Sequence, residues 1–407
     1  MFFGYWWNDL QSNANLQYIA NYLQYLATGV ILMTQTTYLK SKNHYPILDG
    51  LRGVASVLVI VFHVLETFTG GNKFIQIINH GYLAVDFFFL LSGFVIAYAY
   101  DDRWDRMTQW DFYKRRLVRL QPMVVMGSLI GGLLFYFQAG PAFSGIAQTP
   151  VWKMLLVMII GATLVPVPES MDIRGWGEMH PLDGPAWSLF FEYIGNILYA
   201  TIVRRFSRVL LSIFVTLAAF MLIQYLVTSK NGDLIGGWSL NSQQLYIGFT
   251  RLLFPFFGGI LLCRIGKLIR IGNAFWWSSL LIIIVLSIPR IGDEHHVWMN
   301  GIYESVCLIV VFPLIVAMGA GGELHSARSE KICNFLGEIS YPLYITHYPL
   351  IYLFTAWVTK NRVPLGPTGL LMGLVVVVTG LTMAYLLLRF YDKPVREWLR
   401  KKVLMKG

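Results

Sequence analysis

The chain has 407 residues, of which 56% are hydrophobic and only 13% are charged, and its formal net charge is +10. A soluble domain carries about 25% charged residues, so the composition excludes an ordinary soluble protein and indicates a membrane protein. The basic residues lie mostly in short loops between apolar runs, which is typical of cytoplasmic loops and disfavours nucleic-acid binding. Three scattered cysteines are too few for a disulfide framework or a zinc site.

Residues 1–45 are predicted to form an N-terminal extension. Its first residues lack a basic segment and a small-residue cleavage site, so no cleavable signal peptide is expected. The pattern over 16–34 is helical but contains three amide side chains, which favours an interfacial helix over a membrane span. Residues 46–399 are predicted to be a single membrane domain, and 400–407 a basic cytoplasmic tail.

Apolar runs long enough to cross a bilayer recur along the chain, so we expect an all-α, polytopic bundle of about ten membrane helices. The predicted spans are 48–68, 82–99, 120–137, 185–203, 209–228, 246–263, 274–289, 301–320, 340–358 and 367–389. The basic loops all fall on the cytoplasmic side only if the further run 151–165 does not cross, so we predict a re-entrant or interfacial helix there. Both termini are then cytoplasmic, in the inner (plasma) membrane, and the segment 138–184 lies outside.

The first span, which reads LDGLRGVASVLVIVFHVLETF, carries Arg52 and His63 inside an otherwise apolar run. A charge in hydrocarbon costs at least ~2.5–3.5 kcal/mol on insertion scales. The spacing puts the two side chains about 20° apart around the helix and roughly 16 Å apart along it, so they share a face. Glu66 lies on that face and can orient the imidazole. The alternative is that Arg52 snorkels to the headgroups and His63 is a structural hydrogen-bonding group.

Two further carboxylates are predicted at a depth similar to that of His63. Asp86 lies about 6 Å into the second span, where a carboxylate among phenylalanines needs a partner. Glu192 lies about 10 Å into the span 185–203 and shares a helix face with Ser188. Several ionisable groups at one depth favour a functional site over isolated structural groups.

Two more groups of polar residues belong to other spans. Arg116 and Arg119 share a helix face at the cytoplasmic mouth of the third span. Arginine binds phosphate oxygens through paired N–H groups, so these residues are interpreted either as a phosphate clamp or as topology signals. His347 is predicted near mid-membrane with Tyr341 nearby, and a lone intramembrane histidine is more often structural than functional.

Six blocks of the sequence together resemble those of the acyltransferase-3 family of integral membrane acyltransferases. In chain order they read LDGLRGVASVLVIVFH, GYLAVDFFFLLSGF, KRRLVRLQP, GPAWSLFFE, LGEISYPLYITHYPL and FYDKPVREWL. The similarity runs from about Pro46 to Leu399. It implies transfer of an acyl group, commonly acetyl, from cytoplasmic acyl-CoA to a hydroxyl of a cell-envelope carbohydrate or lipid-linked glycan.

The resemblance also implies roles for individual residues. The first-helix pair that the family needs for function corresponds to Arg52 and His63, and its Arg-x-x-Arg element to Arg116 and Arg119. The family's Trp-Ser-Leu-x-x-Glu element corresponds to Trp187, Ser188 and Glu192. We therefore predict a catalytic set of His63, Asp86 and Glu192, an acyl-CoA set of Arg52, Arg116 and Arg119, and an acceptor set of Trp187, Ser188, His347 and Tyr341. No resident metal is expected.

Several alternatives stay open at this stage. His63 is expected to act as general base, with a covalent acyl-histidine as the variant and Asp86, Glu66 or Glu192 as the group that orients it. Phe190-Phe191 replaces the smaller or polar residues that often precede the family's Glu. No hydrolase-like domain follows the last span, so a second acylation step needs a separate extracytoplasmic partner. The oligomeric state also stays open, with a homo-oligomer as one option. The alternative function is that of a lipid or sugar transporter without acyl transfer.

Overall fold

The computed structural model describes Lys42 and residues 44–324 and 326–404. The interfacial helix predicted over 16–34 therefore lies outside the described residues. The chain divides into two compact units, and all ten predicted membrane spans lie in the unit Lys42–Trp398. In the other unit the described residues are Leu399 and the π-helical turn Arg400–Leu404.

The prediction of an all-α fold is confirmed, because the described residues contain helices and a single isolated β-bridge between Gly140 and Phe143. In chain order the helices are α1 (Pro46–Thr69), α2 (Ala84–Tyr100), α3 (Gln109–Leu134), α4 (Val151–Ala162), α5 (Ala186–Thr201), α6 (Arg208–Thr228), α7 (Ser242–Ile265), α8 (Ala274–Ser287), α9 (Trp298–Val306), α10 (Phe312–Gly321), α11 (Ala327–Thr346), α12 (Tyr348–Asn361), α13 (Pro367–Leu387) and α14 (Lys393–Leu399).

Seven helical segments of the described part of the chain are long and apolar enough to cross a membrane. They are Pro46–Thr69, Gly81–Tyr100, Gln109–Gln138, Arg208–Thr228, Ser242–Ile265, Trp298–Gly321 and Pro367–Leu404. The other three predicted spans are also helical, but α5 has 16 residues, α8 has 14, and the span 340–358 is interrupted at His347. The protein is a helical membrane protein, and the count of ten spans stays a prediction.

Helix α4, which covers the ambiguous run 151–165, has 12 residues. At about 1.5 Å per residue it is roughly 18 Å long, which is well short of the ~30 Å hydrocarbon core of a bilayer. Its length therefore agrees with a helix that does not cross the membrane.

Small residues let the central helices pack closely. A methyl group on Gly93 of α2 would lie 1.8 Å from the carbonyl oxygen of Phe256 in α7, and one on Gly259 of α7 would lie 2.1 Å from that of Leu90. A methyl group on Gly53 of α1 would likewise lie 2.4 Å from the carbonyl oxygen of Leu336 in α11. Small residues are what allow membrane helices to approach this closely. These contacts bring α1, α2, α7 and α11 together around the predicted site.

The boundary between α11 and α12 is set by proline. Pro349, at the start of α12, has no N–H group to donate to the carbonyl oxygen of Ile345, four residues earlier. His347 is the residue between the two helices, and it is 1% exposed. The break therefore leaves a backbone carbonyl and a buried histidine in the middle of a predicted span.

Candidate active site

A cavity of about 110 Å³ lies among five helices, and all three predicted phosphate-binding arginines line it. Its wall is built by α1, α2, α3, α5 and α11, and it includes Asp49, Arg52, Ser56, Phe88, Ser92, Arg116, Arg119, Ser188, Glu192, Ser340, Tyr341 and Tyr344. We call it the arginine cavity. Residues far apart in sequence thus converge on one space.

The three arginines differ in how many hydrogen bonds and ion pairs their guanidinium groups make with the protein. Arg52 donates to Ser340 Oγ at 2.7 Å and to the Gly337 carbonyl oxygen at 3.0 Å, and it pairs with Asp49 at 3.2 Å. Arg116 is buried and pairs with Glu192. Arg119 is exposed to the cavity and, within the described ranges, makes no hydrogen bond or ion pair. Arg119 is therefore the cation most available to an incoming anion.

Glu192 lies in the arginine cavity rather than beside His63. Its Oε1 accepts hydrogen bonds from Arg116 Nη2 at 2.5 Å and from Ser92 Oγ at 2.7 Å. With Asp49, it offsets two of the three arginine charges, so the five groups together carry a formal charge of +1 (3 − 2). A carboxylate held this way positions Arg116, and it leaves the cavity attractive to a phosphate group.

His63 lies in the C-terminal half of α1 and belongs to a second group of side chains. Its Nδ1 is 2.8 Å from Glu66 Oε2, and its ring stacks on that of His347 with centroids 5.6 Å apart. Tyr348 packs edge-on against the same ring at 4.8 Å. Of the three carboxylates considered as the group orienting His63, Glu66 is the one that contacts it. With Nδ1 held by the carboxylate, the imidazole presents Nε2 for chemistry.

His347 is held in one tautomer by the helix break. Its Nδ1 is 2.8 Å from the Tyr344 carbonyl oxygen, which can only accept, so Nδ1 carries the hydrogen. Its Nε2 is buried and has no hydrogen-bond partner among the described residues. The structure thus brings two predicted site histidines from α1 and from the α11–α12 break into contact.

Asp86 and Trp187 form a separate cluster around Arg251. Arg251 donates to Asp86 at 2.7 and 3.2 Å and to the carbonyl oxygens of Tyr82 and Gly236, and all of these groups are buried. The Trp187 ring lies 4.9 Å from the Arg251 guanidinium. The contacts of Asp86 are with Arg251 and not with His63, because α2 turns this carboxylate toward α7.

Ser188 and Tyr341 both line the arginine cavity and bond to other parts of the protein. Ser188 Oγ is 2.7 Å from the Tyr344 hydroxyl, and Tyr341 donates to the Leu120 carbonyl oxygen at 2.6 Å. Phe88 packs edge-on against Tyr344 at 5.3 Å. Tyr344 therefore lies between the arginine cavity, which it lines, and His347, whose ring is 6.1 Å away.

Sequence reasoning missed Arg251 and Ser340. The signal for Arg251 was present, since it is a cation inside the predicted span 246–263 and such a cation needs a partner. Ser340 gave no signal, because a serine in an apolar run is common. No cluster of three metal-binding side chains occurs in the part of the chain that the structure describes.

The chain is similar in sequence to several known proteins. The chain is 22% identical to O-acetyltransferase OatA of Staphylococcus aureus (strain NCTC 8325 / PS 47) over 380 residues, which cover 88% of the chain and 58% of the relative. It is 26% identical to acyltransferase MdmB of Streptomyces mycarofaciens over 325 residues, or 75% and 79% of the two lengths. It is 31% identical to protein 2 in the picA locus of Rhizobium radiobacter over 172 residues, or 39% and 82%.

The chain thus spans little more than half the length of the OatA relatives. No solved structure matches it. The family model described as an acyltransferase domain matches residues 45–403, which include every residue of the arginine cavity and both stacked histidines. The chain belongs to the acyltransferase-3 family.

Proposed function

We propose that the protein is a membrane O-acyltransferase that moves an acyl group, acetyl in the first instance, from acyl-CoA to a hydroxyl of a cell-envelope carbohydrate. The observation that carries the proposal is the convergence of Arg52, Arg116 and Arg119 on one cavity, with the stacked pair of histidines next to Tyr344 of its lining. The O-acetyltransferase and acyltransferase names of two relatives support the same reaction class.

The donor would bind with its phosphates in the arginine cavity. Arg119 offers a guanidinium that has no hydrogen-bond or ion-pair partner among the described residues, and Arg52 and Arg116 are held by neighbours that a phosphate can replace or supplement. On α1 the cavity lining ends at Ser56, and His63 follows seven residues later, about 10 Å further along the helix. The thioester would therefore have to pass Tyr344 to reach His63, which requires the Tyr344–Ser188 hydrogen bond to open.

The chemistry we propose uses His63 as general base. His63 Nε2 takes the proton from the acceptor hydroxyl while the oxygen of that hydroxyl attacks the thioester carbonyl carbon. The tetrahedral intermediate collapses with cleavage of the C–S bond, and the imidazolium returns the proton to the departing thiolate. Glu66 holds Nδ1–H and stabilises the transient imidazolium. In the variant mechanism, Nε2 attacks the thioester carbonyl carbon, the C–S bond breaks and the CoA thiolate leaves. The acceptor hydroxyl then attacks the acyl-histidine, and its proton passes through the freed Nε2 to the thiolate.

The proposal is tested with purified full-length protein, [14C]acetyl-CoA and membranes of the native host, which contain the acceptor whatever its identity. We expect CoA release coupled to incorporation of label into the envelope fraction, and His63→Ala should abolish both without lowering Tm. Full activity of His63→Ala would overturn the assignment. Movement of a glycolipid across the membrane without consumption of acetyl-CoA would instead favour a transporter. Mass spectrometry of envelope glycans with and without the protein would identify the acceptor.

A further inference from the structure

A second, smaller cavity of about 10 Å³ lies between α3, α4 and the segment 163–185. His180 and Asp183 line it, together with Ser128 of α3 and Ala186 at the start of α5. This volume is about that of one oxygen-centred group such as a water molecule or a hydroxyl. The cavity is separate from the arginine cavity, with which it shares no lining residue.

The two ionisable side chains of this cavity are buried and unpartnered. His180 is 4% exposed and Asp183 is 2% exposed. Neither ring nitrogen of His180 and neither carboxylate oxygen of Asp183 has a hydrogen-bond partner in the described ranges. Nearby Glu178 is also buried, but it is held by the Tyr352 hydroxyl at 2.6 and 2.8 Å. Buried polar groups are normally paired, so two adjacent exceptions in one cavity point to a missing ligand.

The electrostatic state of the cavity favours a neutral ligand. Burial lowers the pKa of His180 to about 3, so its ring is uncharged and offers one donor and one acceptor at neutral pH. Burial and the nearby Glu178 raise the pKa of Asp183 well above its usual range, which favours the neutral form of its carboxyl group. A neutral alcohol hydroxyl, which both donates and accepts, matches these partners better than an anion or a cation does.

The position of Asp183 links the cavity to the helix break. A methyl group on Gly127 of α3 would lie 2.4 Å from Asp183 Oδ2 and 2.9 Å from the Ile345 carbonyl oxygen. Asp183 therefore lies beside the carbonyl that Pro349 leaves without a helical partner, two residues before His347.

We infer that His180 and Asp183 form a subsite that binds a hydroxyl group of the carbohydrate acceptor. The inference rests on the proposed function. The subsite would hold one hydroxyl of a sugar while another hydroxyl of the acceptor approaches His63. It would also explain why this buried loop keeps two polar side chains that the described residues leave without a hydrogen-bond partner.

The test compares Asp183→Leu with Asp183→Asn and uses His180→Leu as a second probe of the same cavity. Glu169→Gln is the matched control, because Glu169 is an exposed carboxylate of the same segment that bonds to Asn241. For each purified protein we would measure Tm with and without CoA. In membranes of the native host we would measure incorporation of label from [14C]acetyl-CoA and the KM for acetyl-CoA.

We expect Asp183→Leu to keep its Tm, because it removes an unsatisfied buried group, and to keep both the CoA-induced rise in Tm and the KM for acetyl-CoA. Transfer of label should fall about tenfold, and Asp183→Asn, which retains a polar partner, should recover part of it. His180→Leu should behave like Asp183→Leu, and Glu169→Gln like the wild type.

Two results would overturn the subsite. Transfer at the wild-type rate by Asp183→Leu would mean that the cavity holds an ordered water alone. A joint loss of Tm and of the CoA response would mean that Asp183 is structural. A wild-type protein that neither responds to CoA nor transfers label would remove the proposed function, and the subsite with it. That result is distinguishable because it appears without any substitution.

Discussion

The Asp86–Arg251 ion pair gives the most direct prediction of how a substitution changes the stability of the protein. Both side chains are at most 2% exposed, and Arg251 also donates to two backbone carbonyl oxygens. Arg251→Met would leave a carboxylate buried without its partner, and removal of one member of a buried pair costs about 3–5 kcal/mol. The double variant Asp86→Leu/Arg251→Met removes both charges, so it should recover most of that loss in the free energy of unfolding.

The measurement is a double-mutant cycle in detergent micelles, with unfolding followed by tryptophan fluorescence against added denaturing detergent. The pair predicts a coupling energy of about 3 kcal/mol between the two positions. If the double variant is as unstable as the sum of the single ones, the ion pair does not hold α2 to α7 and the reasoning fails.

The same residue separates a structural role from a catalytic one. Asp86→Asn keeps an oxygen that can accept a hydrogen bond from Arg251, so acyl transfer per folded molecule should remain close to that of the wild type. Loss of transfer in a stable Asp86→Asn protein would instead support the sequence-based prediction that Asp86 serves His63.

Three further predictions follow from single positions. Arg119→Ala should raise the KM for acetyl-CoA about tenfold or more without changing Tm, since its guanidinium has no described partner to lose, whereas Arg115→Ala, outside the cavity lining, should not. Gly93→Ala should lower stability by about 1–3 kcal/mol, while Gly258→Ala in α7, whose new methyl would meet nothing nearer than 3.8 Å, should be tolerated. Burial raises the pKa of Glu178 to about 7 despite the opposing Arg174, so the folded protein binds more protons than the unfolded one between pH 4.5 and 7. Stability should therefore fall by about 3 kcal/mol as the pH rises through this window, and Tm of Glu178→Gln measured at pH 5 and 8 should lack that fall.

The location of the helices could be predicted from hydropathy. Their lengths and the break at a proline could be predicted less well. All ten segments that hydropathy predicted as spans are helical, because an apolar run that must satisfy its own backbone in lipid is helical. The same property does not reveal that α8 has only 14 residues or that the span 340–358 is broken at His347. Pro349 was a visible sign of the break, but a proline in a membrane helix also occurs without one.

The site was predictable in its membership and only partly in its arrangement. Similar depths in the membrane predicted Asp86 and Glu192 near His63. Depth alone does not determine which helices are neighbours or which way each side chain faces. Close contacts such as that of Gly93 with Phe256 set the rotation of each helix about its axis. In this rotation Asp86 pairs with Arg251, and Glu192 pairs with Arg116. Glu66 reaches His63 because both lie on α1, where the helical period fixes direction as well as depth. Contacts within one helix could therefore be predicted from the sequence, and those between helices needed the packed structure.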